Sequence, residues 1–118
     1  MSRQYESMIA AANLENYQYH LVKVSAANKV NRQHTAGGDI FGVLNNKPKA
    51  DEHATVVVGG VTRCFAGGTI AAGHEVSVTA SATAVQAASG DFIIGQAITA
   101  VASGSNFQML ITHAGYKS

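Results

Sequence analysis

The 118-residue sequence predicts an all-β fold, a compact β-barrel or sandwich built from two similar β units and preceded by an N-terminal arm. Three observations carry that expectation. Turn signals come at short intervals and are led by glycine: Gly37-Gly38, Asn45-Asn46, Gly59-Gly60, Gly67-Gly68, Gly73, Ser89-Gly90 and Ser103-Gly104. The runs between them are short and rich in Val, Ile, Thr and Phe, as in domains made of short strands. Finally, HLVKVSA from His20 to Ala26 matches HEVSVTA from His74 to Ala80. Each copy runs on through a valine (Val30, Val85) to a glycine-aspartate-apolar element, GDIFG from Gly38 and GDFIIG from Gly90. The offset is 54 at the histidines, 55 at the valines, 52 at the aspartates and 53 at the closing glycines, Gly42 and Gly95. A duplicated unit specifies architecture, and chemistry tends to sit on what only one copy carries.

In chain order, residues 1–16 form the arm. Tyr5, Met8, Ile9 and Ala12 follow the spacing of one helical face, and a helix this short needs a partner surface in water. An extended strand over Ser7–Ala12 is the competing reading. Residues 17–118 form a single β domain with a pseudo-repeat at about 17–60 and 67–115. Its expected strands begin with Gln18–Ser25, Asn28–Gln33 and Asp39–Leu44. Asn46–His53 follows as a polar loop holding the one proline, Pro48. Thr55–Val58 and Val61–Ala66 read as a hairpin, because two glycines can both take the positive φ of a two-residue primed turn. That register sets Val58 against Val61, Val56 against Arg63 and Ala54 against Phe65. Arg63 then lies on an apolar face, where its charge needs solvent, a carboxylate or a partner subunit. Glu75–Ala80, Thr83–Ala87, Phe92–Ala100 and Phe107–Thr112 complete the set.

Charge is the unusual compositional quantity. Only 13% of residues are Asp, Glu, Lys or Arg, about half the usual ~25%. A small uncharged soluble domain has that composition, and so does a subunit whose surface largely contacts other protein. A net charge of +1 and no basic patch argue against nucleic-acid binding; Lys23, Lys29 and Arg32 read as a solvated strand and loop. The single cysteine, Cys64, allows no intrachain disulfide. No run approaches the ~20 apolar residues of a membrane span, and none reads as a signal peptide. Cytoplasmic synthesis and assembly are expected.

Residue types with catalytic potential do not converge. His20, His34, His53, His74 and His113 lack His-x-x-x-His or His-Glu-x-x-His spacing, so structural or surface roles are expected of them and no metal site. Asp51-Glu52-His53 sits in an exposed loop, without the burial that perturbs a working acid–base pair. Asp39 and Asp91 suit the turns that precede strands. The glycine pairs match no phosphate loop, and no Gly-x-Ser-x-Gly elbow occurs. Cys64 reads as a small core or interface residue. No catalytic residue is assigned, and the chain is not expected to be an enzyme.

Several stretches are similar to capsid decoration proteins of tailed bacteriophages, also called head-stabilising or cement proteins. They are VLNNKP from Val43, ATVVVGGV from Ala54, AGGTIAAG from Ala66 and AASGDFIIG from Ala87, with YQYHLVKV from Tyr17 and the closing AGYK from Ala114. The resemblance runs from about Asn13 to Ser118. It implies a β-rich virion protein on the outside of the capsid that stabilises the head by bridging coat subunits. The implied partners are the major capsid protein and further copies of the chain, as a homotrimer whose symmetry matches the lattice point it caps. With the missing ligand spacing, basic patch and apolar span, no cofactor, metal, nucleic acid or membrane is expected. Tyr5, Met8, Ile9 and Arg63 are the expected capsid or subunit contacts. With the arm taken as an attachment element, a chain without residues 1–13 should still fold. A virion-surface module contacting a receptor or polysaccharide is the alternative, and a small metal-dependent hydrolase is a third reading.

Overall fold

A computed structural model describes residues 4–33 and 35–117. The first three residues of the expected arm, His34 and Ser118 lie outside the described residues. Nine strands and no helix occur in the described chain: β1 (Gln4–Ala10), β2 (Leu21–Ala26), β3 (Lys29–Arg32), β4 (Gly42–Leu44), β5 (His53–Phe65), β6 (Glu75–Val78), β7 (Ala84–Gln86), β8 (Phe92–Ala97) and β9 (Asn106–Tyr116). They join in the order β1-β3-β2-β4-β5-β9-β8-β6-β7, and β1 also pairs with β5. The pairings of the first five strands therefore run back on themselves as a ring. The molecule as a whole is a sandwich-like β-fold and not one closed barrel.

One hydrogen-bonding scheme occurs twice. In the first half Val22 faces Arg32 and Val24 faces Val30; in the second Val76 faces Gln86 and Val78 faces Ala84. Leu21 faces Val43 and Val22 faces Gly42, as Glu75 faces Gln96 and Val76 faces Gly95. Val30 thus corresponds to Ala84, one place from the Val85 that the repeat in the sequence suggests. The match reaches into the segment expected as an arm. Ala10 pairs in parallel with Val30, and Ala66 in parallel with Ala84. Ala11 N donates to Val30 O at 2.8 Å, and Gly67 N to Ala84 O at 2.7 Å. Ala10 N donates to Glu52 O and Ala66 N to Ser105 O, both at 2.9 Å. Strand β1 is thereby the counterpart of the second half of β5. All the described left-handed residues except Gly115 pair off as well: Tyr19 with Gly73, Asn28 with Ala82, Gly37 with Gly90, Asp51 with Gly104, and Gly60 with His113.

The interior repeats in the same way. A smaller core gathers Ala10, Leu14, Val22, Val30, Leu44, Ala54 and Val56. Their counterparts Ala66, Ile70, Val76, Ala84, Ala97, Phe107 and Met109 all belong to the larger core. The larger core additionally takes Leu21, Ile40, Val43 and Val57 from the other face of the first half. Successive strand residues point to opposite faces. Leu21 and Val22, Val43 and Leu44, and Val56 and Val57 are therefore buried on both faces of the sheet, each at 0% exposure.

The Gly59-Gly60 hairpin does not form. Strand β5 continues through both glycines, its first half pairing with β1 and β4 and its second with β9. A type I′ turn needs positive φ at both central residues, and here only Gly60 has it, at 82°. Gly59 instead faces Gln4. The valines flanking the glycines find partners on β1, β4 and β9, so the chain bends without reversing, and Arg63 faces Gln108 where Val56 was expected. The described part of the arm is extended and built into the sheet. Residues Gln4 to Ile9 run antiparallel to β5, while Ala10 and Leu14 are fully buried.

Gly42 and Gly95 are repeat counterparts at which a Cβ would overlap a neighbouring carbonyl oxygen, that of Val57 or of Leu110. Gly42→Ala and Gly95→Ala should each destabilise the fold by about 1–3 kcal/mol through overpacking, read as a lowered urea midpoint. Removal of residues 1–13 takes away β1 together with a wall of the smaller core. The truncated chain should lose cooperative unfolding of its first half, a loss measurable by hydrogen exchange over β2–β4, where the arm reading requires unchanged protection.

Candidate functional site

The scheme breaks where the halves meet. In the first half Ile9 N donates to Asn28 O at 2.8 Å, closing β1 onto the β2–β3 turn. The counterpart bond, Phe65 to Ala82, is replaced by two others. Phe65 N donates to Tyr19 O at 3.0 Å, and Leu21 N donates to Ala82 O at 2.8 Å. Residues Tyr19 to Leu21 thus wedge into the second half and carry the apolar face of the first half into its core.

A groove follows this seam in two adjoining hollows that share Tyr19. One, of about 200 Å³, is lined by Tyr19, Asn45, Val61, Thr62, Arg63 and Gln108. The other, of about 590 Å³, is more open and is lined by Glu15, Asn16, Gln18, Tyr19, His20, Lys47, Phe65 and Asn106. Its floor is aromatic. The His20 ring stacks on Phe65 with centroids 5.1 Å apart, and Tyr17 meets His20 edge-on at 5.3 Å. The Arg63 guanidinium lies 5.8 Å from the Tyr19 ring centre and that of Arg32 lies 4.6 Å from Tyr17, within reach of a cation–π attraction. Gln18 Nε2 donates to Asn45 O at 2.9 Å, holding the two walls together.

The groove is electrostatically lopsided. Glu15 is 3.8 Å from Lys49, whereas Arg63 and Lys47 form no ion pair among the described residues. Both cations are exposed. Burial holds the His20 imidazole below its usual range, and the nearby Arg32 charge acts in the same direction. His20 Nδ1 lies 3.2 Å from Gln18 O, so that nitrogen carries a proton and donates.

The other singled-out residues are dispersed. Tyr5 is 47% exposed on β1, opposite Val57. Met8 is half-buried against the smaller core, and Ile9 is half-buried opposite His53. Ser7 Oγ lies 2.8 Å from His53 Nε2, while His113 packs edge-on to Phe92 at 6.4 Å. His74 is exposed on a turn. No three His, Cys, Asp or Glu side chains among the described residues are grouped to hold a metal. The acids of the Asp51–His53 loop are in structural use: Glu52 Oε1 accepts from Lys49 N at 2.7 Å, and Asp51 lies 3.9 Å from Lys29. Asp91 accepts from Ala88 N at 3.0 Å across the turn before β8. Cys64 is fully buried, and burial pushes its thiol up to about 12, so it stays protonated.

Of the residues expected to make contacts, only Arg63 lines the groove; Tyr19, Lys47 and Phe65 line it without having been expected to. The signal for them was available in a comparison of the two units. Where the first half carries Tyr17, Gln18, Tyr19, Arg32, Asn45 and Lys47, the second carries Ala71, Ala72, Gly73, Gln86, Ile98 and Ala100. Finding it needs a register that only the strand pairing supplies.

Among known proteins, the model of the phage cement protein family matches residues 15–113. The solved structure of the head fiber gp8.5 N base in bacteriophage phi29 superposes with a TM-score of 0.66 over 99% of this chain and 100% of that one, at 15% identity. At that identity the likeness is one of fold. No curated protein sequence matches the chain.

The histidines predict a pH response. Burial lowers the affinity of both His20 and His113 for protons in the folded state, from an ordinary value of 6.5. The unfolded chain therefore binds more protons than the folded one as pH falls through 6.5, and stability falls with it. The thermal midpoint should decline from pH 7 to pH 5.5. His20→Gln should flatten that slope even though it loses the stacking on Phe65; an unchanged slope would exclude His20 as a contributor.

Proposed function

This chain belongs to the phage cement protein family, and we propose that it binds the outer surface of the phage head and stabilises it by bridging coat subunits. The family match over residues 15–113 is the observation that carries this reading. Membership makes the chain a phage structural protein; the bridging, the outer face and the major capsid protein as partner are proposed. We further propose a homotrimer, which places three coat contacts on one lattice point. Linked contacts of modest strength add through effective concentration, and a cyclic trimer closes without leaving an open interface.

Physical features favour this reading over a catalytic one. Charged groups make up 13% of the chain, so little surface free energy opposes extended protein contact. Tyr5 and Arg63 are exposed and are proposed as contacts, with Met8 and Ile9 supporting the strand that presents Tyr5.

The test is binding of the purified protein to expanded heads of its own phage, followed by sedimentation and protein quantification. Saturable binding at a fixed ratio to coat protein is expected, with bound heads releasing DNA at a higher temperature than bare heads. Heads that neither bind the protein nor gain heat resistance would overturn the proposal.

A further inference from the structure

The two halves share a backbone, so a difference in their side chains at matching positions is not imposed by the fold. Several such differences fall in the seam groove. Tyr19 stands where the other half has Gly73, Lys47 where it has Ala100, and Asn45 where it has Ile98. Arg63, from the strand that crosses between halves, stands where β1 has Ser7. Glycine would be the less strained choice at position 19, because its φ is 68° and a bulky residue there is an outlier. The chain keeps a tyrosine at a position whose backbone costs it stability, and that residue lines both hollows.

The chemistry of the lining identifies the occupant. Two exposed cations, Arg63 and Lys47, flank the groove without a carboxylate partner among the described residues. The one acid in the lining, Glu15, is drawn toward Lys49. Asn45, Asn106 and Gln108 hold side-chain amides that make no hydrogen bond among the described residues. Amides offer a donor and an acceptor together, which suits the alternating N–H and C=O of an extended peptide. An Arg fork suits a carboxylate. The two hollows adjoin at Tyr19, which lines both, so one strand-like segment can reach from one to the other.

We propose that the seam groove takes an extended, acidic segment of the coat protein, with a carboxylate on Arg63, a second acid near Lys47, and the peptide groups on the Asn45 and Gln108 amides. This rests on the head-binding reading above and adds the site and the chemistry of the partner. Binding should weaken with salt, since exposed charge pairs are screened over about 8–10 Å at moderate ionic strength.

The experiment measures binding of the full-length protein to expanded heads for wild type, for Arg63→Glu with Lys47→Glu, and for Ala100→Glu. The last variant puts an acid at the bare counterpart of Lys47. The altered groove residues are exposed, and thermal melts of each variant confirm folding. The double charge reversal should weaken head binding about tenfold or more, in the range for disrupted interface charge pairs, and salt should no longer weaken the binding that remains, since it now screens repulsion, while Ala100→Glu binds as wild type does. Wild-type binding with an unaffected double variant would overturn the groove assignment and leave the head-binding proposal standing. No binding by wild type would overturn both. An acidic polysaccharide serves as the comparison probe: alginate binding that needs Arg63 and Lys47, with head binding that does not, would reassign the groove to a glycan and overturn the proposal.

Discussion

The row Leu21–Val43–Val57, in register across β2, β4 and β5, is what the rest of the structure depends on. On the opposite face Val22, Leu44 and Val56 fill the smaller core, while this row enters the larger one. All six side chains are fully buried, and complete burial of an aliphatic side chain is worth about 1.5–3 kcal/mol. The second half supplies the polar version of the row, Glu75–Gln96–Leu110. There Glu75 is taken up by Lys117 at 2.6 Å, and Gln96 Nε2 donates to Gly73 O at 2.9 Å. One repeated scaffold therefore meets water with one copy of this face and its sister unit with the other. The asymmetry makes one body from two units.

That asymmetry also fixes where the seam lies. To bring the apolar row into the larger core, Tyr19–Leu21 must occupy the gap that the second half leaves between Phe65 and Ala82. Two backbone hydrogen bonds to the first unit replace the one that would have closed the second. A seam that cannot be closed by further strand pairing leaves side chains of both units facing a common groove. The groove is thus a consequence of the packing, and only its side chains are free to be chosen for binding.

Much of this was legible in the chain. The turn signals bracket the strands well, and each expected strand has an observed one within it or overlapping it. The histidine and closing-glycine matches fall on equivalent pairings, because Val22–Gly42 and Val76–Gly95 are direct strand partners and a Cβ at either glycine would strike a neighbouring backbone. The hairpin was misread for a physical reason. Paired glycines satisfy a primed turn and also a bend in a continuous strand, and the choice is made by distant partners on β1, β4 and β9. The helical spacing of Tyr5, Met8, Ile9 and Ala12 was equally ambiguous, since a strand buried unevenly on two faces does not alternate cleanly. The groove stayed hidden because its residues come from Glu15–His20, Asn45–Lys47, Val61–Phe65 and Asn106–Gln108, which pairing alone brings together.

Duplication also explains why so little charge suffices. In a tandem fold of this kind, most of the second unit's side chains can be reduced to the minimum that keeps a strand in register. Ala71, Ala72, Gly73 and Ala100 are such reductions, and they leave the scaffold intact because its strength lies in backbone pairing and the repeated core. The first unit keeps Tyr17, Tyr19, Arg32 and Lys47 at the same backbone positions, although Tyr19 must hold a left-handed conformation. Strain in a non-glycine residue persists where the surroundings enforce it, and it concentrates at functional sites. The same exchange occurs at Asp51 with Gly104 and at His113 with Gly60, so the strain singles out Tyr19 only together with its place in the lining of both hollows.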